Sequence, residues 1–281
     1  LQGSWWRQSI GWFLRQRVGV YGRLMRDWVR NLTSPGVRER VSGAPASANG
    51  ASSFHLWWDL PYGERLTAAS VTLNVTRRPD LDRLVFFAMQ VAFIKPGGGA
   101  AHIGLQHNPR YPSQSAVNWG GYDSSGDLIE GTEPLLPSSG EDAGTRDFLW
   151  DGDHPYQLAV ERVSAEDADV HLWRGTVTDL TSGYRSVVRD LISPAEFIRA
   201  PVVWIESFAP CDAPRFEAAW SNASVVTDKG DVKPVGRMRA DYQPHAAGGC
   251  TNTNSIVDGV AFVQRTGQLR TTKAGTTLSL G

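Results

Sequence analysis

Two periodicities of apolar residues divide the chain. Over residues 4–32, Trp6, Ile10, Phe13, Leu14, Tyr21, Leu24, Met25, Trp28 and Leu32 recur at spacings of three and four, which predicts one amphipathic helix. Arg15, Arg23, Arg26 and Arg30 project from its other face, while Arg17 intrudes on the stripe. Gly11, Gly19 and Gly22 each cost the helix roughly 1 kcal/mol relative to Ala, so it needs a surface to dock on. "TSPG" (Thr33 to Gly36) stops it. Residues 42–53, "SGAPASANGASS", read as a small-residue linker. The predicted organisation is a basic helical leader over 1–41, a linker over 42–53 and a β domain over 54–281.

From Phe54 onward the period falls to two. "SVTLNVT" (70–76), "RLVFFAMQVAFI" (83–94), "YQLAVERV" (156–163), "VHLWRGTVTDL" (170–180), "PVVWIESF" (201–208), "RFEAAWSNASVV" (215–226) and "GVAFVQR" (259–265) are candidate strands separated by Gly, Pro and Asp-rich turns. Many short strands at this spacing predict a mainly β fold, an antiparallel β-sandwich preceded by the one helix. Thr181 and Gly183 supply a hairpin turn, and "SPAEFIRA" (193–200) suggests a short helical turn.

The chain has 281 residues, 41% of them apolar, which suits one large β domain. Its net charge of −1 argues against nucleic acid as a partner. The charge is uneven, with 8 Arg against 2 acids in residues 1–40. The basic, Trp-rich leader therefore suits an anionic membrane surface, a protein partner, or its own sandwich. No run of about 18 apolar residues exists to span a membrane. The two cysteines, Cys211 and Cys250, lack metal-ligand spacing; in an extracytoplasmic β protein they predict one disulfide, the alternative being two buried thiols.

Four stretches carry a resemblance: "FFAMQVAFIKPGGGAAHIGLQ" (86–106), "FLWDGDHPYQLAVER" (148–162), "WRGTVTDLTSGYRSVVRDL" (173–191) and "VVWIESFAPCDAPRF" (202–216). Together they resemble an uncharacterised group of secreted domains with a concanavalin-like or jelly-roll sandwich, over about 54–270. The resemblance implies that fold and a secreted or cell-envelope location, and it implies no reaction.

Candidate chemistry is sparse. Sandwich glycosidases set two carboxyls within about 5–9.5 Å, and i, i+2 acids on one strand provide this. Glu161 and Glu206 each lack an acid two residues on, and Glu166, Asp167 and Asp169 fall in a polar loop. No G-x-S-x-G elbow is present. His102 and His107, five apart, point to opposite faces of a strand. "AVNWGGYDSSGDLIEG" (116–131) holds more. Asp123, Asp127 and Glu130 offer oxygens of the kind calcium takes, out of EF-hand register. Trp119, Tyr122 and Tyr111, beside Asn118 and Arg110, combine stacking planes with polar groups as sugar sites do, although Trp119 equally suits a strand core. The residues thus favour a non-catalytic module binding a glycan or a protein surface. The alternatives are a structural subunit docked through its N-terminal helix and a polysaccharide-active enzyme.

Overall fold

The computed structural model describes residues 39–96, 98–163 and 170–281. The predicted helix over 4–32 and the acids of the 164–169 loop lie outside the described residues.

In chain order the strands are β1 (Ser52–Trp58), β2 (Leu66–Arg77), β3 (Val85–Phe93), β4 (Ala100–His107), β5 (Ser115–Tyr122), β6 (Thr145–Asp147), β7 (Pro155–Val163), β8 (His171–Asp179), β9 (Arg185–Ser193), β10 (Ile198–Ser207), β11 (Glu217–Thr227), β12 (Val232–Pro234), β13 (Arg237–Tyr242), β14 (Thr253–Asp258), β15 (Ala261–Thr266) and β16 (Thr277–Ser279). All pairings are antiparallel. One array runs β16–β13–β1–β10–β3–β4–β5–β6. The other runs β14–β15–β11–β2–β7–β8–β9, with β12 on β11. Ile198 of β10 bridges to Leu66 of β2 between them.

The two arrays share one hydrophobic core, as the period-two pattern requires. Phe87, Met89 and Val91 of β3 and Val203 and Ile205 of β10 meet Val71 and Leu73 of β2 and Trp220 of β11 there. Edge-to-face rings lock the layers, Phe93 on Trp173 at 5.7 Å and Phe87 on Phe216 at 6.3 Å. The alternate residues, Phe86, Ala88, Val202 and Trp204, form a second buried cluster on the opposite face. β3 and β10 are therefore covered on both sides, which is why "VFFAMQVAF" and "VVWIESF" read as unbroken runs rather than alternations.

Two local expectations are corrected. Residues 42–53 are no free linker. Cys211 N–H donates to Gly43 O (2.8 Å), Gly43 N–H to Asp212 Oδ1 (2.9 Å) and Ala46 N–H to Gly248 O (3.0 Å), and β1 begins at Ser52. Small residues permit this close lacing: a Cβ at Gly248 would sit 2.0 Å from Ser47 N. "SPAEFIRA" forms no helical turn and leads directly into β10.

The expected disulfide is present between Cys211 and Cys250, which are 39 positions apart in sequence. It indicates an oxidising environment. No helix among the described residues is long and apolar enough to cross a membrane. Replacing both cysteines by serine is expected to cost roughly 3–4 kcal/mol on the chain-entropy estimate, read as a lower denaturant midpoint; an unchanged midpoint would show that the lacing alone holds this region.

Candidate functional site

The segment 116–131 is a strand and a pinned extension rather than a ligand loop. Neighbouring residues on a strand face opposite ways, and this separates the predicted sugar site. Trp119 is fully buried in the core, its indole N–H donating to Trp173 O at 3.0 Å. Gly175 of β8 makes room for it, since a Cβ there would lie 2.4 Å from Trp119 Cγ. Asn118 faces the other way, its Nδ2 donating to Thr145 Oγ1 at 3.0 Å. Tyr122 is buried, and Tyr111 is buried with its hydroxyl against Gly140, whereas Arg110 is exposed. No single ring of a sugar reaches Trp119 and Asn118 together.

Asp123 is engaged in turn geometry. Asp123 Oδ1 accepts from the main-chain N–H groups of Ser125 (2.8 Å), Gly126 (3.0 Å) and Asp127 (3.0 Å). The hydrogen bond from the Ser125 hydroxyl, with these, holds its carboxyl below the usual range. Glu130 O accepts from Ile192 N–H (2.8 Å) and Thr132 N–H donates to Asp190 O (2.8 Å), so the extension stitches the β5 edge to β9. Among the described residues no three His, Cys, Asp or Glu side chains gather to hold a metal ion.

A different constellation lies on the outer face of the first array. The strand registers place Ser53, Glu206, Phe86, Gln106 and Ala116 in one cross-strand row. The next row is Asp241, His55, Trp204, Ala88, Gly104 and Asn118. The third is Arg239, Trp57, Val202, Gln90, His102 and Gly120. Phe86 leans over the floor left by Gly104 and meets Trp204 edge-on at 5.1 Å and His102 at 5.4 Å. Glu206 and Gln106 thus flank Phe86 from opposite sides. Gln106 Oε1 accepts from Asn108 Nδ2 at 2.9 Å, which orients the amide and leaves Nε2 as its remaining donor. Glu206 Oε1 accepts from Asn49 Nδ2 at 3.2 Å.

Electrostatically this face is dry. Burial lifts the Glu206 carboxyl to about 7, against the opposing Asn49 hydrogen bond. Burial lowers His55 to about 3, and His102 to about 4 against the nearby Asp142 charge. Burial likewise raises Asp241, opposed by the Tyr242 N–H and the Arg239 charge. A carboxyl that changes charge near neutrality, among fixed amides, can exchange protons with a bound reactant.

No family model and no curated protein matches the chain. Solved structures similar to it include a scytalido-glutamic peptidase bound to a peptide-based transition-state analogue, at 12% identity and TM-score 0.38 over 79% of this chain and 98% of that one. Another is SCP-B, an eqolisin-family peptidase in complex with a tripeptide, at 12% identity and TM-score 0.37 over 79% and 98%. A prokaryotic β-1,3-1,4-glucanase (lichenase) derived from a mouse hindgut metagenome follows at 10% identity and TM-score 0.21, over 57% and 80%. The likeness extends to a β-rich fold and no further. The reading as a glycan-binding module is corrected on the structure itself: Trp119, the ring meant to stack on sugar, is inside the core.

Two outcomes test this geometry. Trp119→Ala should cost about 3–5 kcal/mol of stability, as removal of a buried aromatic does; a denaturant midpoint within error of wild type would return the ring to the surface. The second concerns Glu206. Its folded pKa lies above its ordinary 4.5, so its contribution to stability is fully present below about 4.5 and is lost as pH rises through about 7. Glu206→Gln should therefore gain up to roughly 3 kcal/mol over wild type near pH 8 and nothing near pH 4, at 1.36 kcal/mol per pKa unit. A gain independent of pH would show that Glu206 titrates normally.

Proposed function

We propose that this chain is a hydrolase of peptide bonds on a β-sandwich scaffold, with Glu206 as its acid–base group and Gln106 as the amide that binds the reacting carbonyl. The observation that carries the reading is the row Glu206–Phe86–Gln106, in which a buried carboxyl titrating at about 7 and an oriented amide share one sheet face. A carboxyl kept protonated by burial is suited to act as a general acid. It would give its proton to the departing amide nitrogen as water adds to the carbonyl carbon and the C–N bond breaks. The carboxylate left behind takes the proton released by that water and is restored. Gln106 Nε2 donates to the carbonyl oxygen as charge develops there, the part an oxyanion donor plays.

Glycoside cleavage fits less well. It requires two carboxyls facing across the scissile bond, and the other carboxyl of this face, Asp241, is separated from Glu206 by β1, with Ser53 and His55 between. Export of the chain belongs to the same proposal, supported by the disulfide.

The test is incubation of the full chain with an unfolded protein substrate from acid to mildly alkaline pH, with products read by mass spectrometry. Cleavage is expected at acid pH, falling as pH rises through about 7, because the protonated carboxyl is the reactive form. Glu206→Gln should lose at least about 100-fold while keeping its cooperative unfolding transition, and Gln106→Ala about 100- to 1,000-fold. Absence of cleavage at every pH, or equal cleavage by wild type and Glu206→Gln, would defeat the proposal.

A further inference from the structure

Glu206 is the last residue but one of β10, and the segment before β1 reaches it through Asn49. Asn49 lies on this segment and is itself held. Its Oδ1 accepts from Ala51 N–H at 3.2 Å and lies 2.9 Å from the Ser47 hydroxyl, which also donates to Ala51 O at 2.6 Å. Gly50, at φ 75, makes the reversal that brings Ala51 N–H back onto the side chain. With its oxygen so engaged, the amide presents Nδ2 to Glu206 Oε1 at 3.2 Å.

The segment is anchored on both flanks to the residues that the disulfide joins. Gly43 is bonded through both its N–H and its O to Asp212 and Cys211, a few residues past Glu206. Ala46 N–H donates to Gly248 O, and Cys250 N–H donates to Ser52 Oγ at 2.9 Å. Asn252 Nδ2 closes the ring on Cys211 O at 2.7 Å. Asn49 is thus fixed relative to the strand that bears Glu206, rather than carried on a free tail.

Resting on the hydrolase reading, we propose that Asn49 is a positioning residue for the reaction: its amide holds one carboxyl oxygen of Glu206, sets the carboxyl's orientation over Phe86, and leaves Oε2 for the proton that is exchanged. The groups that share this face with Glu206 are Ser53 and His55 on β1, Phe86 on β3, Gln106 and His102 on β4, and Asp241 and Arg239 on β13. Among the described residues none of them makes an ion pair with it, and the Asn49 amide is the group opposing its burial. The Asn49 bond favours the ionised form, so its removal must drive the carboxyl further up.

The experiment follows the Glu206 carboxyl itself, by carboxyl-carbon NMR of protein labelled in its glutamate side chains, with Glu206→Gln assigning the resonance. Asn49→Ala should raise the midpoint of that titration by about one pH unit, the worth of a hydrogen bond to a charged group. Asn49→Asp keeps the oxygen that holds Ala51 N–H and replaces only the donor, so the segment stays closed and the midpoint should rise further. Circular dichroism and the unfolding transition report whether each variant is folded. A titration unmoved in the folded Asn49→Asp variant overturns the proposal, whatever Asn49→Ala does. In the peptide assay the pH limb should move with the resonance. A limb that stays in place while the resonance moves also overturns it. A moved resonance in a protein that cleaves no peptide supports the positioning of Glu206 and overturns only the reaction class.

Discussion

Burial of the outer face of the first array is the constraint on which the rest depends. β10 sits between β1 and β3 with its core side against the second array, and the residues of its other side, Val202 and Trp204, are buried as well. Ionisable groups taken out of water are pushed to their neutral forms. Four groups on this face shift in that sense: His55 and His102 fall, Glu206 and Asp241 rise. Three of the polar groups are met by dipoles rather than by opposite charges, Glu206 by the Asn49 amide, Gln106 by Asn108 and Asn118 by Thr145, while Asp241 has the Arg239 charge beside it. Ion pairs are left to wetter positions such as Arg174 with Asp190 on β8 and β9.

The core side supplies the rigidity that such a face requires. Trp119 reaches across from β5 into the space left by Gly175 and bonds to Trp173 O. Trp173 in turn donates to Ala195 O, just before β10. The chain of contacts runs from one edge of the first array, through the second array, and back to the strand that carries Glu206. Close packing of this kind resists small shifts in register, and a carboxyl and an amide on separate strands keep their spacing only if the strands keep theirs.

Much of the fold was legible in the residues. Period-two alternation and Gly, Pro and Asp turns identify the strands, and two cysteines in such a chain identify the bridge. The candidate site was misread for a geometric reason. Trp119, Asn118 and Tyr111 are neighbours in sequence, and a pleated strand sends Trp119 and Asn118 to opposite faces. Glu206 escapes a search for a partner two residues along the same strand, because the amide proposed to act with it, Gln106, lies two strands away in the sheet and about a hundred positions away in the chain. One local signal was available. In "VVWIESF" a carboxylate interrupts an apolar run that does not alternate, and such a run is buried on both faces, so its one acid is largely withdrawn from water. Asn49, inside a stretch of small residues that reads as a linker, gave no such signal; its role depends on a turn and on contacts with residues 211–212 and 248–252.

The opposite linkages of the face define a pH range. His55 and His102 have folded pKa values below their ordinary 6.5, so their stabilising contribution is complete above about 6.5 and is lost as pH falls through about 4 and then about 3. Glu206 has the reverse sign, complete below about 4.5 and lost as pH rises through about 7. Between about 4 and 7 the two imidazoles and this carboxyl are all uncharged in the folded chain. Above that range the carboxyl ionises within a dry face; below it the imidazoles do. The interval in which these groups place no charge on the face is the same interval in which Glu206 holds its proton. A single physical cause, exclusion of water from one side of the β10 strand, therefore sets both the stability of this face and the protonation state of the group best suited to react there.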